Sequence, residues 1–282
     1  LKLSLAFAVL GSVLVAAMAR PPTASSRISD LRPVLLRPAV AKTFSRPFLP
    51  LLTDLLWLRS LNAIGQKDSL SKNLALYEYA QLLTELDPRF LTAYAYLGLN
   101  IPYAVDRTWH GGDRASAIFR KGLEHFPDDM RLHLYLGFSL MHHERKFVEA
   151  GDVFARAARL PDALPFMAAL ATRLKAQGGD AEQGLALARE LARTATDESL
   201  KAEMEQRAAD LEVEVQLQRV DRAIAKYRED HSQAGLISFT QLQQQGYYDG
   251  PSQDVRGGTI FIRESDGKVL STSLERRLEL YE

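Results

Sequence analysis

The chain has 282 residues, 46% of them hydrophobic and 25% charged, which is ordinary globular composition with enough apolar material for a sizeable core. Basic and acidic side chains both number 35, but seven of the basic ones lie in residues 1–46 against Asp30 alone, leaving the remainder acidic. No basic stripe of the kind that nucleic-acid binding needs is visible across the rest of the chain, and the lack of cysteine excludes disulfides and thiolate metal sites.

Residues 1–19 contain an uncharged apolar run, Leu3 to Ala19, between Lys2 and Arg20. Its length lies at the lower end of the roughly 17–25 residues that cross a bilayer. It reads as a transmembrane anchor or signal-anchor. Ala17-Met18-Ala19 also offers a signal-peptidase-like site, so a cleaved export signal is the alternative. Either reading points to a bacterial inner-membrane or periplasmic setting, with the soluble part facing the periplasm. The basic collar beyond Arg20 suits anionic lipid head groups, although by charge bias alone it would favour the opposite orientation. Residues 20–46 carry Pro21, Pro22, Pro33 and Pro38 among Ser and Thr, a density that denies regular helix and predicts an extended tether.

From residue 47 to 197 amphipathic helices alternate with breaks that carry Pro, Gly or Asp. Trp57-Leu58 is expected to open a first helix, with a partner from Leu70 to Leu86 ending at Asp87-Pro88. The clearest unit runs from Leu91 to Asp129. Tyr94, Leu97 and Gly98 lie on one helix, and Ala115, Phe119, Gly122 and Leu123 on the next, before Pro127. A second unit repeats Leu136 and Gly137, then Ala150, Phe154 and Ala157, closing at Pro161. A weaker one follows Pro165, breaks at Gly178-Gly179 and continues through Ala181, Leu185 and Ala188. The small residues let paired helices approach, and Phe119 and Phe154 fill the space between units.

This pattern resembles the tetratricopeptide (TPR) repeat, in which an aromatic precedes Leu-Gly on the first helix, Ala-x3-Phe-x2-Ala follows on the second, and Pro ends the unit. The resemblance covers about half of the chain. Two departures stand out: His133 replaces the aromatic in the second unit, and about five extra residues, Asp106 to His110, interrupt the first. The implied fold is mainly α, a TPR-like helical-hairpin solenoid behind an N-terminal transmembrane helix. The family's groove positions map onto Leu99 and Tyr103 in the first unit and Arg131, Leu134, Phe138 and His142 in the second. The resemblance implies a largely apolar groove there, suited to a helix or extended peptide of a partner, or to the chain's own tether or appendix.

Residues 198–231 predict one long helix, apolar at Leu200, Met204, Ala208, Leu211, Val215, Val220, Ile224 and Tyr227, which would cap the open end of the solenoid. Glu203, Glu205, Glu212 and Glu214 read as its solvated face. Residues 232–282 form a small α+β appendix, in which Thr259–Arg263 and Lys268–Thr272 flank an Asp266-Gly267 turn as a β-hairpin. The stretch from Ala223 and Tyr227 through Gly246-Tyr247 to Asp254 and Gly257-Gly258 weakly resembles the C-terminal half of a type II secretion major pseudopilin. Val255 stands where that motif has Pro. A pilin would carry its apolar helix directly ahead of this module.

No catalytic constellation is legible: there is no Ser-His-Asp order, nucleophile elbow or phosphate loop. Adjacent His142 and His143 diverge by about 100° on a helix, so with Glu144 they do not predict a metal site. Asp128-Asp129 reads as a turn and N-cap. Trp109, in the inserted loop, either anchors a partner or folds back over the helices. The expectation is therefore a non-catalytic membrane-anchored scaffold, an accessory or assembly subunit of a membrane protein complex such as a pilus, secretion, respiratory or transport assembly. Its partners would be other subunits of that complex and, through residues 1–19, the bilayer, with no cofactor and no small-molecule substrate. A soluble periplasmic peptide-binding module is the second reading, and an enzyme with an unrecognised site the third.

Overall fold

The computed structural model describes residues 48–65, 69–231, 237–274 and 276–278. The expected anchor (1–19) and tether (20–46) lie outside the described residues. What is described is mainly helical with two small antiparallel sheets, divided into two compact units that meet in sequence at Arg145 and Lys146. Among the described residues no helix is long and apolar enough to cross a membrane.

In the first unit, α1 (Leu49–Ile64) buries Leu52, Leu56, Ser60 and Ala63 at helical spacing. It starts eight residues before Trp57, where the sequence suggested, because Pro50 falls in the first turn, where a missing N–H is harmless. Helix α2 (Ser69–Leu86) packs against it. A π-helical turn (Ala93–Leu97) runs into α3 (Gly98–Asn100), which ends before Pro102. Helices α4 (Gly112–His125) and α5 (Met130–Phe138) follow, and α5 continues as a second π-helical turn (Ser139–His143). Asp129 caps α5 by accepting a 3.0 Å hydrogen bond from Leu132 N.

The close approach expected at Gly98 is present. A Cβ built there would lie 2.4 Å from Phe119 Cε1, and Phe119 is 1% exposed, wedged against Tyr135 at 5.8 Å between ring centroids. The departure at His133 also has a physical reason. The buried Tyr94 hydroxyl donates to the Pro88 carbonyl (3.3 Å), and His133 Nε2 donates to the Pro127 carbonyl (2.7 Å). Both reach six residues back, so the imidazole ties the first turn of its helix to the preceding turn as the phenol does. Burial pushes the Tyr94 phenol up to about 12, so it remains a donor.

The extra residues of the first unit form a β-hairpin that the sequence did not suggest. Strands β1 (Tyr103–Val105) and β2 (Thr108–His110) pair Ala104 with Trp109, turning on Asp106 and Arg107. Both turn residues have positive φ, as a type I′ turn requires. Gly111, also at positive φ, closes the insertion against Asn73, whose buried amide donates to Ile101 O and accepts from Arg114.

In the second unit, α6 (Phe147–Ala157), α7 (Phe166–Gln177) and α8 (Ala181–Thr194) pack in sequence, and α8 packs along α9 (Glu198–Asp230). Asp180 and Asp197 cap the last two helices. Helix α9 is not simply a cap. One stripe, including Ala208, Leu211 and Val215, faces Ala176, Ala181 and Ala188. A second stripe, Val213, Leu217, Val220 and Ile224, forms a core with Leu242, Tyr248, Ile260 and Val269 of the appendix. Part of the side that the sequence left to solvent, around Val213, Glu214 and Leu217, is thus covered, and α9 is shared by both cores.

This overturns the solvated reading of Glu214. Glu203 and Glu205 are exposed, but Glu214 is 3% exposed and bound by the Arg277 guanidinium, with Nη2–Oε1 at 2.5 Å and Nε–Oε2 at 3.2 Å. The appendix holds α10 (Phe239–Gln244), opened by a Ser238–Gln241 capping box, and the hairpin β3 (Ile260–Ile262) with β4 (Val269–Ser271), Phe261 opposite Leu270. Its connection is broader than a two-residue Asp-Gly turn. Arg263 N donates to Lys268 O across four residues, and Gly267 has positive φ. Beside the hairpin, Asp254 is buried and accepts from the Arg256 and Gly258 amides and the Ser271 and Ser273 hydroxyls.

Candidate functional site

All six groove positions, from both repeats, lie in the compact unit that ends at Arg145, and the structure treats them differently. Leu99 is 48% exposed on α3, one helical turn from Tyr96 at 43%. Tyr96 meets Trp57 edge-on at 5.9 Å, Trp57 also touches Phe90 at 5.1 Å, and the adjacent Leu58 is exposed. These side chains make an apolar, aromatic patch on α1 and the helix of residues 91–100. Sequence reading missed Trp57 and Tyr96 as surface residues. The available signal was Tyr96 standing three residues before Leu99, a spacing that puts both on one face.

On α5 and its π turn, Leu134, Phe138 and His142 are spaced four residues apart. The first two are half-buried, and the His142 ring stacks on Phe138 at 5.8 Å. Burial and the nearby Arg145 lower the His142 pKa, favouring an uncharged ring that extends the apolar stripe. Arg131, exposed, turns back to Asp129 at 3.1 Å. Tyr103 departs from expectation: it is on strand β1, with its ring stacked on His110 at 5.3 Å, because Pro102 ends the helix that would have carried it. The structure therefore retains Leu99, Arg131, Leu134, Phe138 and His142 as helix-face residues and moves Tyr103 onto the hairpin.

Trp109 combines the two behaviours weighed for it. Its ring rests on His143 at 4.6 Å between centroids, yet the residue is 47% exposed. Beneath it lies a polar node. Ser116 donates to Glu144 Oε1 at 2.5 Å and lies 3.0 Å from the Ser139 hydroxyl, which donates to the Gly112 carbonyl at 3.2 Å. His143 Nδ1 is 3.4 Å from Ser139. Ser, His and Glu stand together here, but both serines are buried and engaged internally, so a substrate would not reach them. The node fixes the π turn beneath the hairpin. Burial, then His142, lowers the His143 pKa despite the opposing Glu144 charge, which favours the neutral ring. Among the described residues no cluster of three or more His, Asp or Glu is placed to hold a metal.

Chemically, this surface offers aromatic and aliphatic area, and its Trp and Tyr are residue types enriched in binding hot spots. Compared with known proteins, the chain matches no family model, no curated protein and no solved structure.

Proposed function

We propose that this chain is a non-catalytic scaffold of TPR-like helical-hairpin construction, held at a bacterial inner membrane by residues 1–19 as an accessory or assembly subunit of a membrane complex. The surface that engages its partner is the apolar face running over Trp57, Leu58, Tyr96 and Leu99, together with Leu134, Phe138 and His142. The observation that carries this reading is the exposure of Leu58, Tyr96 and Leu99 at 60%, 43% and 48% beside half-buried aromatics. Large apolar side chains grouped on a surface mark sites of association more often than scattered ones do. The recurrence of the Tyr94 and His133 ties, and the fit of Phe119 over Gly98, support the repeat construction.

The test is photo-crosslinking in native membranes, with a benzoylphenylalanine placed at Leu99 or Phe138 and a control at the exposed Glu229, followed by mass spectrometry of the products and of the N-terminus. A discrete membrane partner joined from Leu99 and Phe138, but not from Glu229, is the expected result. A mature chain beginning at Arg20, soluble and joined to nothing, would replace this reading with a periplasmic peptide-binding module.

A further inference from the structure

The second unit carries a groove of a different character. Helices α6 and α8 form its walls and α7 its floor, enclosing about 520 Å³ of open space. Lys175 rises from the floor with its side chain 6% exposed, and its ammonium donates to Asp152 (2.6 Å) and Gln183 (3.0 Å). Gly151 makes room for the lysine stem: a Cβ there would lie 2.9 Å from Lys175 Cγ. Arg156 and Arg159, three residues apart on the α6 side, line the same space. Arg159 pairs with Glu190 of α8 at 2.9 Å, both side chains about half in solvent. Arg156 has no ion pair among the described residues.

Three cations therefore face two carboxylates in a part of the chain that is otherwise acidic. We infer that this groove binds an acidic peptide segment of a partner protein, with one carboxylate between Arg156 and Arg159 and the backbone against Lys175 and Gln183. The reasons are charge and size. Lys175 is already matched by Asp152 and Arg159 by Glu190, so the uncompensated charge is that of Arg156. An entering carboxylate can take Arg159 from Glu190 at small cost, because exposed ion pairs contribute little. Guanidinium groups present paired donors that suit carboxylates. The groove has room for several side chains, more than a single small anion would fill. The site is independent of the apolar face on the first unit, and either can fail without the other.

The experiment uses the full chain in detergent micelles and a fluorescein-labelled octapeptide of alternating Glu and Ala, read by anisotropy at low salt. The same peptide with Gln for Glu is the neutral control. The acidic peptide should bind, the Gln peptide should not, and Arg156→Glu with Arg159→Glu should weaken binding at least about tenfold. Reversing Arg189, which faces Glu212 elsewhere on α8 at 2.6 Å, should leave affinity unchanged. Glu190→Gln, which frees Arg159, should tighten binding about threefold and guards against a double variant that merely misfolds. No binding of the acidic peptide, equal binding of the Gln peptide, or equal loss from the Arg189 reversal would overturn the inference. Binding of inorganic phosphate in place of the peptide would do so as well.

Discussion

The buried ion pair between Glu214 and Arg277 gives the sharpest test of how α9 and the appendix are joined. Glu214 and Arg277 have side-chain exposures of 4% and 12%. Arg277 also reaches Asp221 at 2.7 Å and the Val269 carbonyl at 3.3 Å. Burial alone would lower the guanidinium pKa, but Glu214 and Asp221 outweigh it, so the group is held firmly as a cation. Replacing Arg277 with Met leaves a buried carboxylate with, among the described residues, the Gln218 amide (3.2 Å) as its remaining side-chain donor. Removing one partner of such a pair costs about 3–5 kcal/mol, whereas replacing both with apolar groups is often neutral or stabilising. For a unit of this size each kcal/mol moves the melting temperature by roughly 2–4 °C. Arg277→Met and Glu214→Leu should therefore each lower the thermal midpoint of the full chain by about 6–20 °C by circular dichroism. The double variant should recover most of the loss. Singles as mild as the double, or a double as damaged as the worse single, would refute the reasoning that desolvated charge dominates here.

Three further outcomes follow from the same structure. Gly98→Ala should destabilise by about 1–3 kcal/mol from the clash with Phe119, less up to about 1 kcal/mol regained in helix propensity; urea midpoints should show partial rescue by Phe119→Leu. Asp254→Ala should cost about 2–4 kcal/mol, because two hydroxyls and two amides lose their acceptor, and hydrogen exchange should rise first at Gly258 and Ser273. Burial would raise the Asp254 pKa, but its four hydrogen bonds outweigh that and hold it low; its contribution is thus present above the unfolded carboxylate range and lost as pH falls through the folded value. In a Trp57→Phe chain, leaving Trp109 as the sole tryptophan, emission should be steady above about pH 6.5 and change below it as His143 protonates. The folded His143 pKa is lowered, so stability falls as pH drops past the ordinary histidine value; a midpoint at or above 6.5, or the same curve in His143→Gln, would count against the contact.

Much of the helical plan was legible because it rests on local rules. The Ala115, Phe119 and Gly122 spacing marks the buried face of α4, Gly178-Gly179 marks the break after α7, and Asp129 marks a cap, all decided within a few residues of chain. His133 standing in for a tyrosine was visible as an exception, and its reason was not, because the answer is a carbonyl in the preceding turn. The hairpin at residues 103–110 was hidden because its turn uses Asp106 and Arg107 where the strongest sequence signal would be Asn-Gly.

What the amino-acid sequence determined by itself is the alternation of apolar positions, hence the helices, the C-terminal hairpin and the helix-face positions Leu99, Arg131, Leu134, Phe138 and His142. What the tertiary structure alone decided is the environment of each polar group. Glu214 belonged by pattern with Glu203 and Glu205, yet it is buried because Arg277 arrives 63 residues later. Lys175, on which the sequence offered no signal, lines the floor of a groove because Gly151, on another helix, leaves room for its stem. Periodicity reports how often a face recurs along the chain. It carries no record of which distant charge comes to lie against that face, and burial of an ion depends on that partner.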